Sequence, residues 1–181
     1  MSKKELLMAT AIRLFVTKGF DNVSTAEIAK ASGVATGTLF NYFATKEELI
    51  IACYQQAKQS FIAQTMPYLS EVSTQQALYS MWVGLIDWSL VHQDWFYYMQ
   101  QFRHSAYYRK DLIADDTGWH VLLGWWKKAI SDQLLKDVPL DLLLSLFTGL
   151  LYSTIDYIIS QNDKMAIAAS FSLCWDMIKR E

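Results

Sequence analysis

Hydroxyl, amide and ammonium groups cluster between residues 24 and 46 of this 181-residue chain, and their types suit recognition of a nucleic acid. Threonine and asparagine side chains can hydrogen-bond to base edges, and a lysine can neutralise a backbone phosphate. A glycine lets the protein backbone approach a phosphate closely. The candidate DNA-contacting residues are Ser24, Thr25, Thr36, Gly37, Thr38, Asn41, Tyr42 and Lys46.

The same stretch predicts two short helices joined by a tight turn, which would position these groups. Ser24, with a glutamate three residues later, has the form of a capping box and predicts a helix start. That helix should end near Ala31, because Gly33 can supply the left-handed backbone of a turn. A second helix follows from about residue 35 to 42, with Leu39 and Phe43 facing inward. This is a helix-turn-helix, whose second helix can enter the major groove of DNA.

With the amphipathic helix that precedes it, this segment resembles the DNA-binding domain of the TetR (tetracycline-repressor-like) family. The resemblance covers roughly residues 5–50. Two positions depart from the family pattern. Ala35 stands where a serine often caps the recognition helix, which leaves Thr36 as the candidate cap, and Phe40 stands where a tyrosine commonly donates its hydroxyl to a phosphate. The matching residues are Ala11, Leu14, Phe15, Gly19, Phe20, Thr25, Ile28, Ala29, Ala31, Gly33, Val34, Gly37, Thr38, Leu39, Phe43, Lys46, Glu47 and Leu49.

The resemblance implies an all-α protein of about nine helices with two domains. Residues 1–46 would form a three-helix, helix-turn-helix DNA-binding domain, and residues 47–181 a helical effector-binding and dimerisation domain. It further implies a homodimeric transcriptional repressor in the cytoplasm, released from a palindromic operator in double-stranded DNA by a small hydrophobic or aromatic effector. An alternative from another class is a small-molecule-binding or protein-interaction module without operator binding.

Helical periodicity continues through the rest of the chain. The pattern predicts helices over about 3–18, 45–64, 74–91, 94–105, 119–135 and 140–160, and a last helix that ends near residue 179. The polar stretch 107–118 is predicted to be a loop or a broken helix.

The uncharged run Leu142–Ile155 is too short for a membrane span, which needs about 20 apolar residues, and predicts a helix that is buried on all sides. One face would pack within its own subunit and the other against a second copy, as the resemblance implies for the last two helices. An intrachain hairpin is the alternative. The candidate dimer residues are Leu146, Gly149, Leu150, Ser153, Tyr157, Phe171 and Trp175.

All seven tryptophans lie at or beyond position 82, in the region where the family holds its effector. Aromatic residues at helical spacing more often form plain core, so both interpretations stay open. The candidate pocket residues are Phe61, Trp82, Trp95, Phe96, Gln100, Phe102, His104, Trp119, His120, Leu123, Trp126 and Tyr152.

Charge and composition favour a few well-placed DNA contacts over a basic surface. The net charge is −2, and residues 1–50 carry six Lys or Arg against five Asp or Glu. Cys53 and Cys174 are isolated, which suits buried thiols in a reducing compartment. The three histidines have no zinc-type spacing, and no glycine-rich phosphate loop is present, so the sequence predicts neither an enzyme, a metal site nor a cofactor.

Overall fold

A computed structural model describes residues 2–109 and 117–180 of the chain. These residues form nine α-helices and no strand, which confirms the predicted all-α fold. Most of the stretch 107–118 lies outside the described residues. The helices are α1 (Lys3–Lys18), α2 (Thr25–Ala31), α3 (Thr36–Tyr42), α4 (Lys46–Ala63), α5 (Thr74–Val91), α6 (Gln93–Arg103), α7 (Thr117–Ser131), α8 (Leu140–Gln161) and α9 (Ala166–Ile178), with a 3-10 turn at Met66–Tyr68.

The helices pack into two compact units, which are described separately. The head unit contains the described residues of 2–60 and 92–109, and the body unit those of 61–91 and 117–180. This division by packing differs from the functional boundary between residues 46 and 47 that the sequence predicts. Helix α4 contributes residues to both units, because the division falls between its residues 60 and 61.

In the head unit, α6 packs against α1 although the two helices are far apart in sequence. The Tyr98 hydroxyl donates a hydrogen bond of 2.8 Å to the carbonyl oxygen of Ile50, and Gln101 Nε2 donates one of 3.1 Å to that of Val16. The rings of Phe15 and Phe20 contact each other at 5.3 Å and Tyr98 at 6.2 and 5.5 Å. A segment from the middle of the chain therefore completes the core beneath the helix-turn-helix.

The body unit has an aromatic core between α5, α8 and α9. Trp82 is fully buried, and its ring makes edge contacts with Phe147 at 5.3 Å and Phe171 at 6.1 Å. Trp126 of α7 contacts Phe147 at 5.1 Å. Aromatic edges meeting ring faces combine large apolar burial with favourable quadrupole geometry. These rings therefore form one continuous buried cluster that links α5, α7, α8 and α9.

Helix α8 is buried on one face within its own chain and exposed on the other, which is the face that the sequence assigns to a second copy. Leu143, Phe147, Leu151 and Ile155 are buried in the body unit, whereas Leu142, Leu146 and Tyr157 are exposed. Among the described helices α8 alone is long and apolar enough to cross a membrane, by length and composition, with a mean hydropathy of 1.6 in its most apolar stretch. The core helix of a globular protein passes the same test, and α8 has one face of this kind in the body unit.

Both cysteines are free and buried, one in each unit. Burial raises the pKa of the Cys174 thiol to about 12 and raises that of Cys53 further above the ordinary value. The thiolate is the reactive form of cysteine, so both side chains are unreactive packing groups at neutral pH.

Candidate nucleic-acid interface

The first helix of the motif, α2, begins where the sequence predicts it. Ser24 is its N-cap, and the Ser24 hydroxyl accepts a hydrogen bond of 3.1 Å from the amide of Glu27. The Glu27 carboxylate binds the ammonium of Lys18 at 2.6 Å. The pair fastens the end of α1 to the start of α2, and it also neutralises one of the six basic residues of the segment 1–50.

The turn between α2 and α3 depends on one glycine. Gly33 has a φ of +65°, which lies in the left-handed region of backbone conformation that residues other than glycine rarely adopt. The amides of Gly33 and Val34 bond to the carbonyl oxygens of Lys30 and Ala29 at 3.1 and 3.0 Å. These bonds satisfy the carbonyls at the end of α2 and redirect the chain into α3.

The second helix, α3, presents a polar surface over an apolar underside. Leu39 is fully buried and Phe43 is 3% exposed, as the sequence predicts. On the opposite side Thr36, Gly37 and Asn41 are exposed, together with Tyr42, while Thr38 is half-buried. Gly37 has open space where a Cβ would stand. The sugar-phosphate backbone of a nucleic acid could therefore approach α3 closely at Gly37.

The candidate cap of α3 is wrong. Ala35 is the N-cap, with extended backbone (φ −60°, ψ 140°) and no side-chain cap bond, and Thr36 is already the first helical residue. A capping side chain must belong to the residue whose backbone is still extended, so a hydroxyl one position later cannot fill that role. The start of this seven-residue helix is fixed by the turn and by Leu39 instead.

Helix α4 places the predicted phosphate-binding lysine by means of its own cap. The Thr45 hydroxyl accepts a bond of 3.1 Å from the Glu48 amide, and Glu48 Oε2 accepts one of 2.8 Å from the Ala44 amide. This arrangement differs from a capping box in one respect, because the glutamate accepts from the amide of the residue before the cap. Lys46 lies in the first turn that follows, half-buried.

A shallow cleft of about 470 Å³ joins the start of α2 to one flank of α3 and the start of α4. Three predicted DNA contacts, Ser24, Thr25 and Lys46, line it. Sequence reasoning missed Asp21, Asn22 and Val23 as lining residues and treated Phe40 only as a departure from a pattern. Phe40 could have been found from the sequence, because it is an apolar residue that does not lie on the inward face of α3, and it is 47% exposed. The other three residues approach the cleft only through the folding of the chain, so no local pattern indicates them.

The predicted effector residues fall into two sets. Trp95, Phe96, Gln100, Phe102 and His104 belong to the head unit, where Phe102 stacks on Tyr54 with ring centroids 4.1 Å apart. Gln100 Nε2 and Trp82 Nε1 are buried donors without a hydrogen-bond partner in the described part of the chain. Phe61, Trp82, Trp119, His120, Leu123, Trp126 and Tyr152 belong to the body unit.

In the body-unit set, the Phe61 ring contacts those of Trp88 at 5.2 Å and Tyr152 at 6.5 Å. His120 is exposed, as is His104 in the other set, while Trp119 and Leu123 are half-buried.

Among the residues that the structure describes, no group of three His, Cys, Asp or Glu side chains could hold a metal ion.

The predicted dimer residues lie mainly on the outer face of α8. Leu146 and Tyr157 are 44% and 49% exposed, Gly149 and Ser153 are exposed, and Leu150 is half-buried. A Cβ added at Gly149 would meet no atom. On α9 Trp175 is half-buried, whereas Phe171 lies in the core, where its ring contacts Tyr79 at 5.0 Å. The outer face of α8 is thus an exposed stripe of apolar and small residues.

Three comparisons place the chain among known proteins. Residues 7–53 match the family model described as bacterial regulatory proteins, tetR family. The uncharacterized HTH-type transcriptional regulator YuxN of Bacillus subtilis is 38% identical over 50 residues, which are 28% of this chain and 17% of the relative. The matched part of this chain therefore spans less than a fifth of that relative's length.

Solved structures resemble the whole fold. A TetR family transcription regulator from Marinobacter aquaeolei VT8 aligns with a TM-score of 0.92 at 23% identity, over 99% of this chain and 96% of that one. The regulator FadR from Bacillus subtilis, solved in complex with stearoyl-CoA, aligns with a TM-score of 0.73 at 18% identity, over 96% of both chains.

An N-terminal helix-turn-helix carried by a helical body defines the class of helix-turn-helix regulators. Within that class the tetR family model covers most of α1, all of α2 and α3, and the start of α4. Residues 7–53 thus match the DNA-binding segment of the tetR family of bacterial regulatory proteins, and the described chain has the fold of a TetR family transcription regulator.

Proposed function

We propose that this protein is a sequence-specific DNA-binding transcriptional regulator that acts as a homodimeric repressor in the cytoplasm. The observation that carries the proposal is the surface of α3, where Thr36, Gly37 and Asn41 are exposed while Leu39 anchors the helix from below. Exposed hydroxyl and amide groups on a short helix are suited to reading base edges in the major groove. A regulator of this kind needs no catalytic group, and the proposal includes none.

The proposal is tested by selecting bound fragments from randomised duplex DNA with the full-length protein. We expect enrichment of a palindromic sequence, because two identical heads related by a two-fold axis read inverted half-sites. Recovery of unenriched DNA after repeated rounds would contradict sequence-specific binding.

Lys46 and Asn41 are expected to contribute to binding in different ways. Lys46→Ala should weaken binding to all duplexes alike and lower the salt slope by about one per head, because a phosphate contact carries no sequence information. Asn41→Ala should change the preferred bases, at a cost of about 1–3 kcal/mol at one position of each half-site. Fluorescence anisotropy with selected and unselected duplexes measures both effects.

Lys127→Ala is the matched control, since Lys127 is an exposed lysine on α7 of the body unit. It should leave affinity and salt slope unchanged. Equal losses for Lys46→Ala and Asn41→Ala, with the same salt slope and the same base preference, would contradict the two roles.

Gly37→Ala separates DNA contact from folding. A Cβ at this position meets no atom of the protein, and alanine favours helix more than glycine by up to about 1 kcal/mol. We therefore expect the free energy of unfolding to stay level or to rise, while operator affinity falls because the added methyl group obstructs the DNA backbone. Urea unfolding and anisotropy measure the two quantities, and unchanged operator affinity would show that nothing approaches α3 at Gly37.

The proposed dimer forms through α8 and α9. The exposed positions Leu142, Leu146, Gly149 and Ser153 on α8 follow a four-three-four spacing, which places them on one stripe of a helix. Apolar residues provide burial, and the small Gly149 and Ser153 allow two helices to cross closely. A contiguous apolar stripe of this kind is typical of a protein–protein contact.

The proposed effector is a small hydrophobic or aromatic molecule bound among the aromatic side chains of the body unit, near Trp82. Two observations support it. Trp82 Nε1 is a buried donor without a partner in the described chain, so an acceptor on a ligand could satisfy it. FadR, which shares the fold, is known in complex with an acyl-CoA. A ligand that quenches tryptophan fluorescence and releases DNA over one concentration range would support the proposal, and quenching without release would contradict it.

A further inference from the structure

The cleft of the head unit contains two charges of opposite sign. Asp21 and Lys46 both line it, at the turn before α2 and at the start of α4. The ion pairs in the described part of the chain join other residues, such as Lys18 and Glu27 at 2.6 Å. Asp21 is exposed and Lys46 half-buried. The two oppositely charged residues therefore line the same cleft, and no ion pair in the described part of the chain joins them.

We propose that Asp21 opposes DNA binding, as a negative charge that faces the phosphate held by Lys46. This inference rests on the proposed function, because it assumes that a backbone phosphate enters the cleft. The other lining residues contribute hydroxyls and an amide from Ser24, Thr25 and Asn22, which can bond a phosphate oxygen but add no charge. Within the cleft, Lys46 attracts the phosphate and Asp21 repels it.

The surroundings make this single charge matter. Residues 1–50 carry only one more basic than acidic residue, and the Lys18 ammonium is already bound by Glu27. Charges further away than about 8–10 Å are largely screened at physiological salt, so a carboxylate inside the contact cleft acts more strongly than distant ones. The unfavourable free energy of this repulsion is also doubled, because a dimer places two such clefts on one operator. The repulsion keeps affinity moderate, which makes release easier.

The test is Asp21→Asn in the full-length protein, with a labelled duplex of mixed sequence of about 30 base pairs, long enough for two half-sites one helical turn apart. Exposed charge pairs change equilibria by a few-fold, so we expect affinity to rise about three-fold per head and about ten-fold for a dimer at low salt. The gain should shrink as salt is raised from about 0.05 to 0.3 M, because screening shortens the reach of the charge. Base preference should not change.

Asp137→Asn is the matched control, since it makes the same change in net charge at an exposed residue of the body unit. It should leave DNA affinity within error of the wild type. The proposal is overturned if Asp21→Asn leaves affinity unchanged or lowers it, if the gain persists at high salt, or if Asp137→Asn gives the same gain. Wild-type protein that binds no duplex at any salt would contradict the proposed function itself, a result distinct from binding that ignores Asp21.

Discussion

Leu146→Glu should convert the protein into a monomer that binds its operator on the order of 100-fold more weakly. Leu146 is 44% exposed on the outer face of α8, so the substitution leaves the core of its own subunit intact. In a two-fold dimer, both copies of the glutamate would be buried near the axis, where desolvation and mutual repulsion oppose association. Each head would then bind alone and lose the gain in affinity that comes from linking two half-sites.

Val121→Glu is a close control for this experiment. Val121 is 50% exposed on α7 of the same unit, outside both α8 and α9. It should remain dimeric and bind DNA like the wild type. Sedimentation at micromolar concentration and anisotropy with a selected duplex measure the two outcomes. A dimeric Leu146→Glu protein with normal operator affinity would rule out α8 as the interface.

Trp82→Ala should lower the free energy of unfolding by about 3–5 kcal/mol, the usual range for removing a buried tryptophan. Trp82 is fully buried, and its ring contacts Phe147 and Phe171, so its loss opens a cavity between α5, α8 and α9. Domains are stable by only about 5–15 kcal/mol, so the loss is a large share of the total. Urea unfolding followed by circular dichroism measures it.

Two variants make the result interpretable. Trp125→Ala removes a half-buried tryptophan from the same unit and should cost about 1 kcal/mol or less. Trp82→Phe keeps an aromatic ring in the cluster and removes an indole donor that has no partner in the described chain, so its cost should be well below that of alanine. If Trp82→Ala and Trp125→Ala were equally mild, the aromatic cluster would not hold the body unit together.

The elements that the sequence predicts well are those fixed by local chemistry. Helix α1 ends at Lys18 because Gly19, with φ +81°, can leave the helix, and α2 begins at Thr25 because the hydroxyl of the preceding Ser24 caps the Glu27 amide. Both features depend on residues within four positions of each other. The positive φ of Gly33 follows from the same kind of local rule.

The features that sequence reasoning missed depend on contacts between distant residues. No local pattern indicates that Tyr98 donates to the carbonyl of Ile50, or that Asp21 shares a cleft with Phe40 and Lys46. Composition shows how apolar α8 is, but not which of its faces its own chain covers, so the buried and exposed residues of α8 could be assigned only from the structure. The roles of the individual dimer and effector residues remain predictions.

The position of α6 in the head unit has a consequence for synthesis of the protein. Residues 92–109 pack with α1 and α4, but residues 61–91 of the other unit are translated before them. At about 5–20 residues per second, the helix-turn-helix waits on the order of seconds before the helix that covers Phe15 and Phe20 leaves the ribosome. During that interval these rings lack their partner Tyr98. During synthesis the amino-terminal helices therefore expose apolar surface that a chaperone can bind, and we expect a truncated product that stops before residue 92 to be degraded faster than the full chain.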